Sequence, residues 1–210
     1  VAGPPEQAER IFRTSGTSRG QEKRGLHYIL DLSLYHDAML PMFDAYVRPD
    51  GRSLPIISLI PSAEQAPDSS LSEMVSTAAA HAGVQADWFI DLNRGLDSEG
   101  LIARFDEIEQ SGEPVCVLGT SFAFVHLIDA LEGFSRRFYL PNGSRIMDTG
   151  GFKGKSRSVP ATELRHAYYD FLGVGSELCV NEYGMTEMSS QFYDGLAGAR
   201  PRDADDERDR

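Results

Sequence analysis

Apolar positions along the chain alternate between two periods. Ile56-Ile57-Ser58-Leu59-Ile60 and Val115-Cys116-Val117-Leu118 are short, dense apolar runs, as expected of strands buried on both faces. Trp88-Phe89-Ile90, Arg145-Ile146-Met147 and the run from Glu177 to Asn181 also read as strands. Between them the spacing becomes helical. Leu71, Met74, Val75, Ala78 and Ala79 form one stripe, and Leu101, Ile102, Phe105 and Ile108 a second. Phe124, Leu127, Ile128 and Leu131 form a third. Leu164, Ala167, Tyr168, Phe171 and Leu172 give another, with Gly173 placed to end it. Earlier, Ser33 is expected to cap a helix carrying Leu34, Met39, Met42, Phe43 and Tyr46, kinked or divided at Pro41. Strand then helix, repeated about four times, predicts an α/β fold with a mostly parallel sheet flanked by helices. Ligands of such sheets bind where loops leave the carboxyl ends of strands, so residues 119–121, 148–154 and 182–187 are expected along one rim.

Composition narrows the function. In 210 residues, 41% hydrophobic and 25% charged, there is enough apolar surface for a sizeable core. Twenty basic against thirty-two acidic side chains leave a net charge of −12, which repels phosphate backbones and anionic lipid and argues against a nucleic-acid partner. No apolar run approaches the roughly 18–20 residues that span a bilayer. The first residues, Val1 to Glu6, lack the basic start and apolar middle of a secretion signal. Cys116 and Cys179 are too few for a disulfide framework and lie inside apolar runs, so inert thiols in a reducing, cytoplasmic setting are expected.

Three segments carry candidate chemistry. Arg13-Thr14-Ser15-Gly16-Thr17-Ser18-Arg19-Gly20 combines hydroxyls with exposed backbone N–H groups, which suits a phosphate cradle, and Lys23 and Arg24 add positive charge. It lacks the Gly-Lys-Ser/Thr ending of a Walker loop. Asp148-Thr149-Gly150-Gly151-Phe152-Lys153-Gly154 places paired glycines at a strand end, where a ligand can approach the backbone. Asn181-Glu182-Tyr183-Gly184-Met185-Thr186-Glu187 offers an aromatic face for a base, a hydroxyl for phosphate and a carboxylate for a hard cation. Each alone reads equally well as a surface loop or tight turn.

Taken together and in this order, the three resemble the motifs of the adenylate-forming superfamily. The run from Asn181 to Asp194 is most similar to the signature of acyl-protein synthetases of the LuxE type, the long-chain fatty acid–luciferin-component ligases. The resemblance extends over residues 11–195. It implies the nucleotide-binding part of the large N-terminal domain of those enzymes, preceded by a disordered or truncated lead at 1–10 and followed by a charged tail at 196–210. It also implies an activity: ATP-dependent activation of a long-chain carboxylic acid as acyl-adenylate, then transfer to a protein thiol on an acyl acceptor or reductase. In this reading Thr14, Ser15, Gly16, Thr17 and Ser18 hold the β- and γ-phosphates with Lys23 or Arg24. Gly150 and Gly151 line the adenine pocket, and Tyr183, followed by Gly184, stacks on the base. Thr186 touches a phosphate, and Glu187 binds Mg²⁺.

The sequence departs from the family in two places. The usual Gly-x-Pro-Lys-Gly ending of the phosphate loop is replaced by Arg19-Gly20-Gln21-Glu22-Lys23-Arg24-Gly25, which leaves Lys23 and Arg24 as alternatives for the phosphate-contacting cation. The family's ribose-binding Asp, C-terminal catalytic Lys and acyl-accepting Cys are not assigned in this sequence, so residues 11–195 are expected to be the nucleotide-binding part of a longer enzyme or a reduced relative of it. A non-catalytic ATP-binding module is the main alternative. Hydrolysis by Ser121 with a nearby His is a distant third, since Gly119-Thr120-Ser121 lacks the full nucleophile elbow. His36 and His126 are expected to be structural, and Trp88 to be core.

Overall fold

The computed structural model describes residues 4–14, 25–150, 159–186 and 190–198. Among these, β3 (Ile56–Leu59), β4 (Ala86–Trp88), β7 (Cys116–Thr120), β8 (Arg145–Thr149), β9 (Cys179–Met185) and β10 (Ser190–Tyr193) form one sheet in the order β10-β9-β8-β7-β3-β4. All its pairings are parallel except β9 with β10. The parallel connections run through α2 (Ser70–Ala82), α3 (Ser98–Ser111), α4 (Ser121–Gly133) and α5 (Ala161–Leu172). A hairpin of β1 (Arg10–Arg13) and β2 (Leu26–Ile29) and the helix α1 (Leu32–Val47) precede the sheet.

Alternation within each strand divides the core in two. Ile57, Leu59, Val117 and Ile146 point toward α3, α4 and α5, where they meet Phe105, Phe124 and Tyr168. Ile56, Ile60, Cys116, Leu118 and Met147 point the other way, onto Met39, Phe43, Met74 and Val75 of α1 and α2. Burial on both faces is why these strands read as unbroken apolar runs. The helices begin on local caps. Ser69 accepts from Ser72 N, Asp97 from Gly100 N and Thr120 from Ala123 N. Gly173 closes α5 at φ 68°, a left-handed conformation that glycine adopts at no steric cost.

Several expectations change. Asp31, not Ser33, caps α1, by accepting from Ser33 N at 2.9 Å. The buried stripe of α1 is Tyr35, Met39, Phe43 and Val47, while Leu34 faces solvent. Pro41 does not divide the helix, because the buried Met39, Phe43 and Val47 on both sides of it lie in the same core and hold the turns together. Trp88-Phe89-Ile90 is split: β4 ends at Trp88, and β5 (Ile90–Asp91) pairs instead with β6 (Gly95–Leu96). The segment from Glu182 to Met185 is strand rather than loop, and it turns back into β10. The charged residues from 199 onward lie outside the described residues, whereas β1 already begins at Arg10.

Candidate functional site

A cleft of about 310 Å³ opens at the carboxyl end of the sheet, on the side covered by α1 and α2. Register brings the rim together: Thr120 lies beside Thr149, and Thr149 beside Glu182. Arg13 and Thr14 form one wall. Arg13 N donates to the Asp68 carbonyl at 2.8 Å, and its guanidinium pairs with the Asp68 carboxylate at 3.2 Å, which ties the hairpin to the loop before α2. Thr14 and Gly25, which bracket residues 15–24, hold each other: Thr14 N donates to Gly25 O at 3.0 Å, and Gly25 N to Thr14 Oγ1 at 2.9 Å.

The opposite wall is polar too. The Ser70 and Thr186 hydroxyls are 3.3 Å apart. Tyr35 donates to the Ser70 carbonyl at 3.1 Å, and Gln191 Nε2 donates to the Tyr35 oxygen at 3.3 Å. Glu182, only 3% exposed, accepts from Thr149 Oγ1 through Oε2. Its other oxygen lies over Gly184, where an added Cβ would stand 2.4 Å away, so a side chain at 184 would displace the carboxylate. Burial pushes the Glu182 carboxyl up to about 7, against the opposing pull of the Thr149 hydrogen bond. The site thus pairs a hydroxyl-lined mouth, suited to anionic oxygens, with a buried acidic floor.

Of the sequence-derived candidates, Thr14, Gly184 and Thr186 line this one cleft. Gly150, at φ 75°, directly follows Thr149 and has open space where a side chain would project. Tyr183 is not on the cleft face. Alternation along β9 turns it to the other side of the sheet, where it pairs across the strands with Phe192, the two rings being 58% and 53% exposed. Ser15, Gly16, Thr17, Ser18, Lys23, Arg24, Gly151 and Glu187 lie outside the described residues. Among the described residues, no group of three or more His, Cys, Asp or Glu is placed to hold a metal ion.

Sequence reasoning missed Tyr35, Glu182 and Gln191. Glu182 was legible in principle, since a strand through Gly184 places position 182 on the same face. Tyr35 and Gln191 are 156 residues apart, and no local pattern links them. The remaining candidates are structural. Ser121 Oγ donates to the Gly150 carbonyl at 3.0 Å and to Asp148 at 3.3 Å, with no His partner among the described residues, so the serine-hydrolase reading is dropped. His36 is held between Glu73 at 3.0 Å and Thr77 at 3.2 Å, and His126 stands edge-on to Phe122. Burial pushes both thiols, Cys116 and Cys179, up to about 12.

Scanned against family models and against curated proteins, the sequence matches none. Solved structures do match. McyG A-PCP complexed with phenylalanyl-adenylate is similar at 15% identity and a TM-score of 0.55, over 96% of this chain and 34% of that one. An open conformation of 2-hydroxyisobutyryl-CoA ligase, in complex with 2-HIB-AMP and CoA, gives 18% identity and a TM-score of 0.50 over 90% and 39%. The amide bond synthetase McbA from Marinactinospora thermotolerans gives 16% and 0.50 over 89% and 31%. The shared property is the fold. This chain has the α/β architecture of part of these adenylate-forming enzymes and spans about a third of their length. Among the described residues, no helix is long and apolar enough to cross a membrane.

Proposed function

We propose that this chain is the nucleotide- and acid-binding part of an adenylate-forming ligase. One observation carries the reading: Thr14 and Thr186, from motifs remote in sequence, line one cleft with Gly184 at the carboxyl rim of the sheet, and Gly150 follows the rim residue Thr149. Solved structures with the same fold include ones holding phenylalanyl-adenylate and 2-HIB-AMP, which is consistent with the proposal.

In the reaction a carboxylate oxygen attacks the α-phosphorus of ATP. A new phosphorus–oxygen bond forms, the bond to the β-phosphate oxygen breaks, and pyrophosphate leaves with that electron pair. Nucleophile and triphosphate repel each other, so positioning and charge neutralisation supply most of the catalysis. Thr14 and Thr186, with Ser15, Gly16, Thr17 and Ser18, donate to phosphate oxygens, and Lys23 adds a positive charge. Glu187 would hold Mg²⁺, which would supply positive charge to offset that of the triphosphate. Gly150, Gly151 and Tyr183 would hold the adenine, Tyr183 from the face of β9 opposite the cleft. A thiol of an acceptor protein then attacks the acyl carbon, a thioester forms and AMP leaves, as the LuxE-type likeness implies.

The test is carboxylate-dependent exchange of labelled pyrophosphate into ATP. Glu187→Gln is expected to lower exchange about 100-fold and Thr186→Val about tenfold. ATP binding without exchange, in this chain and in any longer form of it, favours the alternative of a non-catalytic nucleotide-binding module.

A further inference from the structure

The floor of the cleft holds a buried amide oxygen that nothing donates to among the described residues. Gln191 lines the cleft and is 6% exposed. Proton accounting fixes its orientation. Tyr35 has a single O–H, which goes to the Ser70 carbonyl, so the Gln191 nitrogen must donate to the Tyr35 oxygen. The Gln191 amide oxygen is then buried with no hydrogen-bond partner among the described residues.

Gln191 is the register partner of Gly184, and the second oxygen of Glu182 lies over that same glycine. The Glu182 carboxylate receives one hydrogen bond, from Thr149, and no cation pairs with it among the described residues. Buried acceptors are destabilising unless something donates to them, and an alkyl chain cannot. Leu71, Met74 and the Tyr35 ring supply the apolar side chains of the lining.

We propose that the cleft selects an amino-substituted carboxylic acid whose nitrogen donates to Glu182 and to the Gln191 amide oxygen. The inference rests on the acid-activating reading above and departs from the long-chain fatty acid that the LuxE likeness implies. An amine fits better than a hydroxyl because it brings several donors and, as ammonium, the charge that complements a buried carboxylate. Glu182 and Gln191 are then specificity-determining residues.

Calorimetric titration of the whole chain tests this with matched acids: β-alanine against propionate, γ-aminobutyrate against butyrate, and ε-aminocaproate against caproate. In at least one pair the amino acid is expected to bind about tenfold or more tightly than its parent, because the parent leaves the polar floor unpaired. Glu182→Gln preserves the side-chain shape, and Gln191→Leu is an independent second change should the first fail to fold. Either is expected to reduce that preference to less than about threefold. Parent acids that bind as well as or better than their amino analogues in every pair overturn the inference. So do an unchanged preference in the variants and a lack of binding by any amino acid. Pyrophosphate exchange driven by caproate and not by ε-aminocaproate overturns the inference while leaving the activation reading intact. A lack of ATP binding overturns the activation reading, and the acid titrations still report on the cleft.

Discussion

Asp148 and Glu182 stand one register step apart on neighbouring parallel strands, yet their surroundings are opposite. Asp148 faces α4 and α5. It accepts from Asn181 Nδ2 at 2.8 Å, from the Tyr168 hydroxyl at 3.0 Å and from Ser121 Oγ at 3.3 Å. Burial raises its carboxyl above the usual range, and these three donors pull it back. Glu182 faces the cleft with one donor, Thr149, beside an amide oxygen that nothing satisfies among the described residues. A carboxylate whose acceptor capacity is filled by the protein is part of the scaffold. One left short, in a cleft, is open to a ligand.

Four measurements can break or sharpen this contrast. The largest effect is expected for Asp148→Ala, which removes three hydrogen bonds and leaves the buried Tyr168 hydroxyl without an acceptor, while Ser121 keeps the Gly150 carbonyl; it should cost about 4 kcal/mol in urea unfolding. A loss below about 1 kcal/mol would contradict the scaffold role.

Glu182 should instead reveal itself through pH. Its folded value of about 7 lies above the unfolded 4.5, so the native state binds the proton more tightly and stability falls as pH rises between the two values. Below 4.5 both states are protonated and the deficit is absent. Glu182→Gln cannot ionise, so between pH 4 and pH 8 the stability gap should shift toward the variant by about 3 kcal/mol. A gap independent of pH would mean that Glu182 is ionised at no cost.

Gly184→Ala forces the Glu182 carboxylate aside and is expected to cost about 2 kcal/mol, most of it recovered in a Glu182→Ala background. Additive losses would show that the contact is not the cause. The smallest effect belongs to Thr186→Val, where losing the hydroxyl pair with Ser70 should cost about 0.5 kcal/mol of stability, even as pyrophosphate exchange falls.

Much of the scaffold was readable from local pattern. The apolar runs at 56–60 and 115–118 are strands because both faces of the sheet are covered. The end of α5 at Gly173 follows from glycine's access to the left-handed region. Errors came where neighbours outside the local window decided the outcome. Leu34 and Tyr35 are equally good apolar candidates by spacing, and only packing against Phe12 and the rest of that small cluster picks Tyr35. Glu182 to Met185 looked like a loop because of Tyr183-Gly184, but pairing with β10 carries the strand on past Glu182, where pairing with β8 ends. The hydroxyl and glycine motifs were visible at once, since their residue types limit what chemistry they can do.

The sequence by itself determined the alternation of strands and helices, the acidic charge and the order of three motifs suited to a nucleotide. These are properties of residues and of short-range periodicity. Only the tertiary structure decided that Tyr183 and Gly184 face opposite sides of one strand, and that Thr14, Tyr35, Glu182 and Gln191 share a cleft. The physical reason is register. A strand's side-chain period of two fixes which residues share a face, but which strands pair, and how far each extends, is set by neighbours distant in the chain.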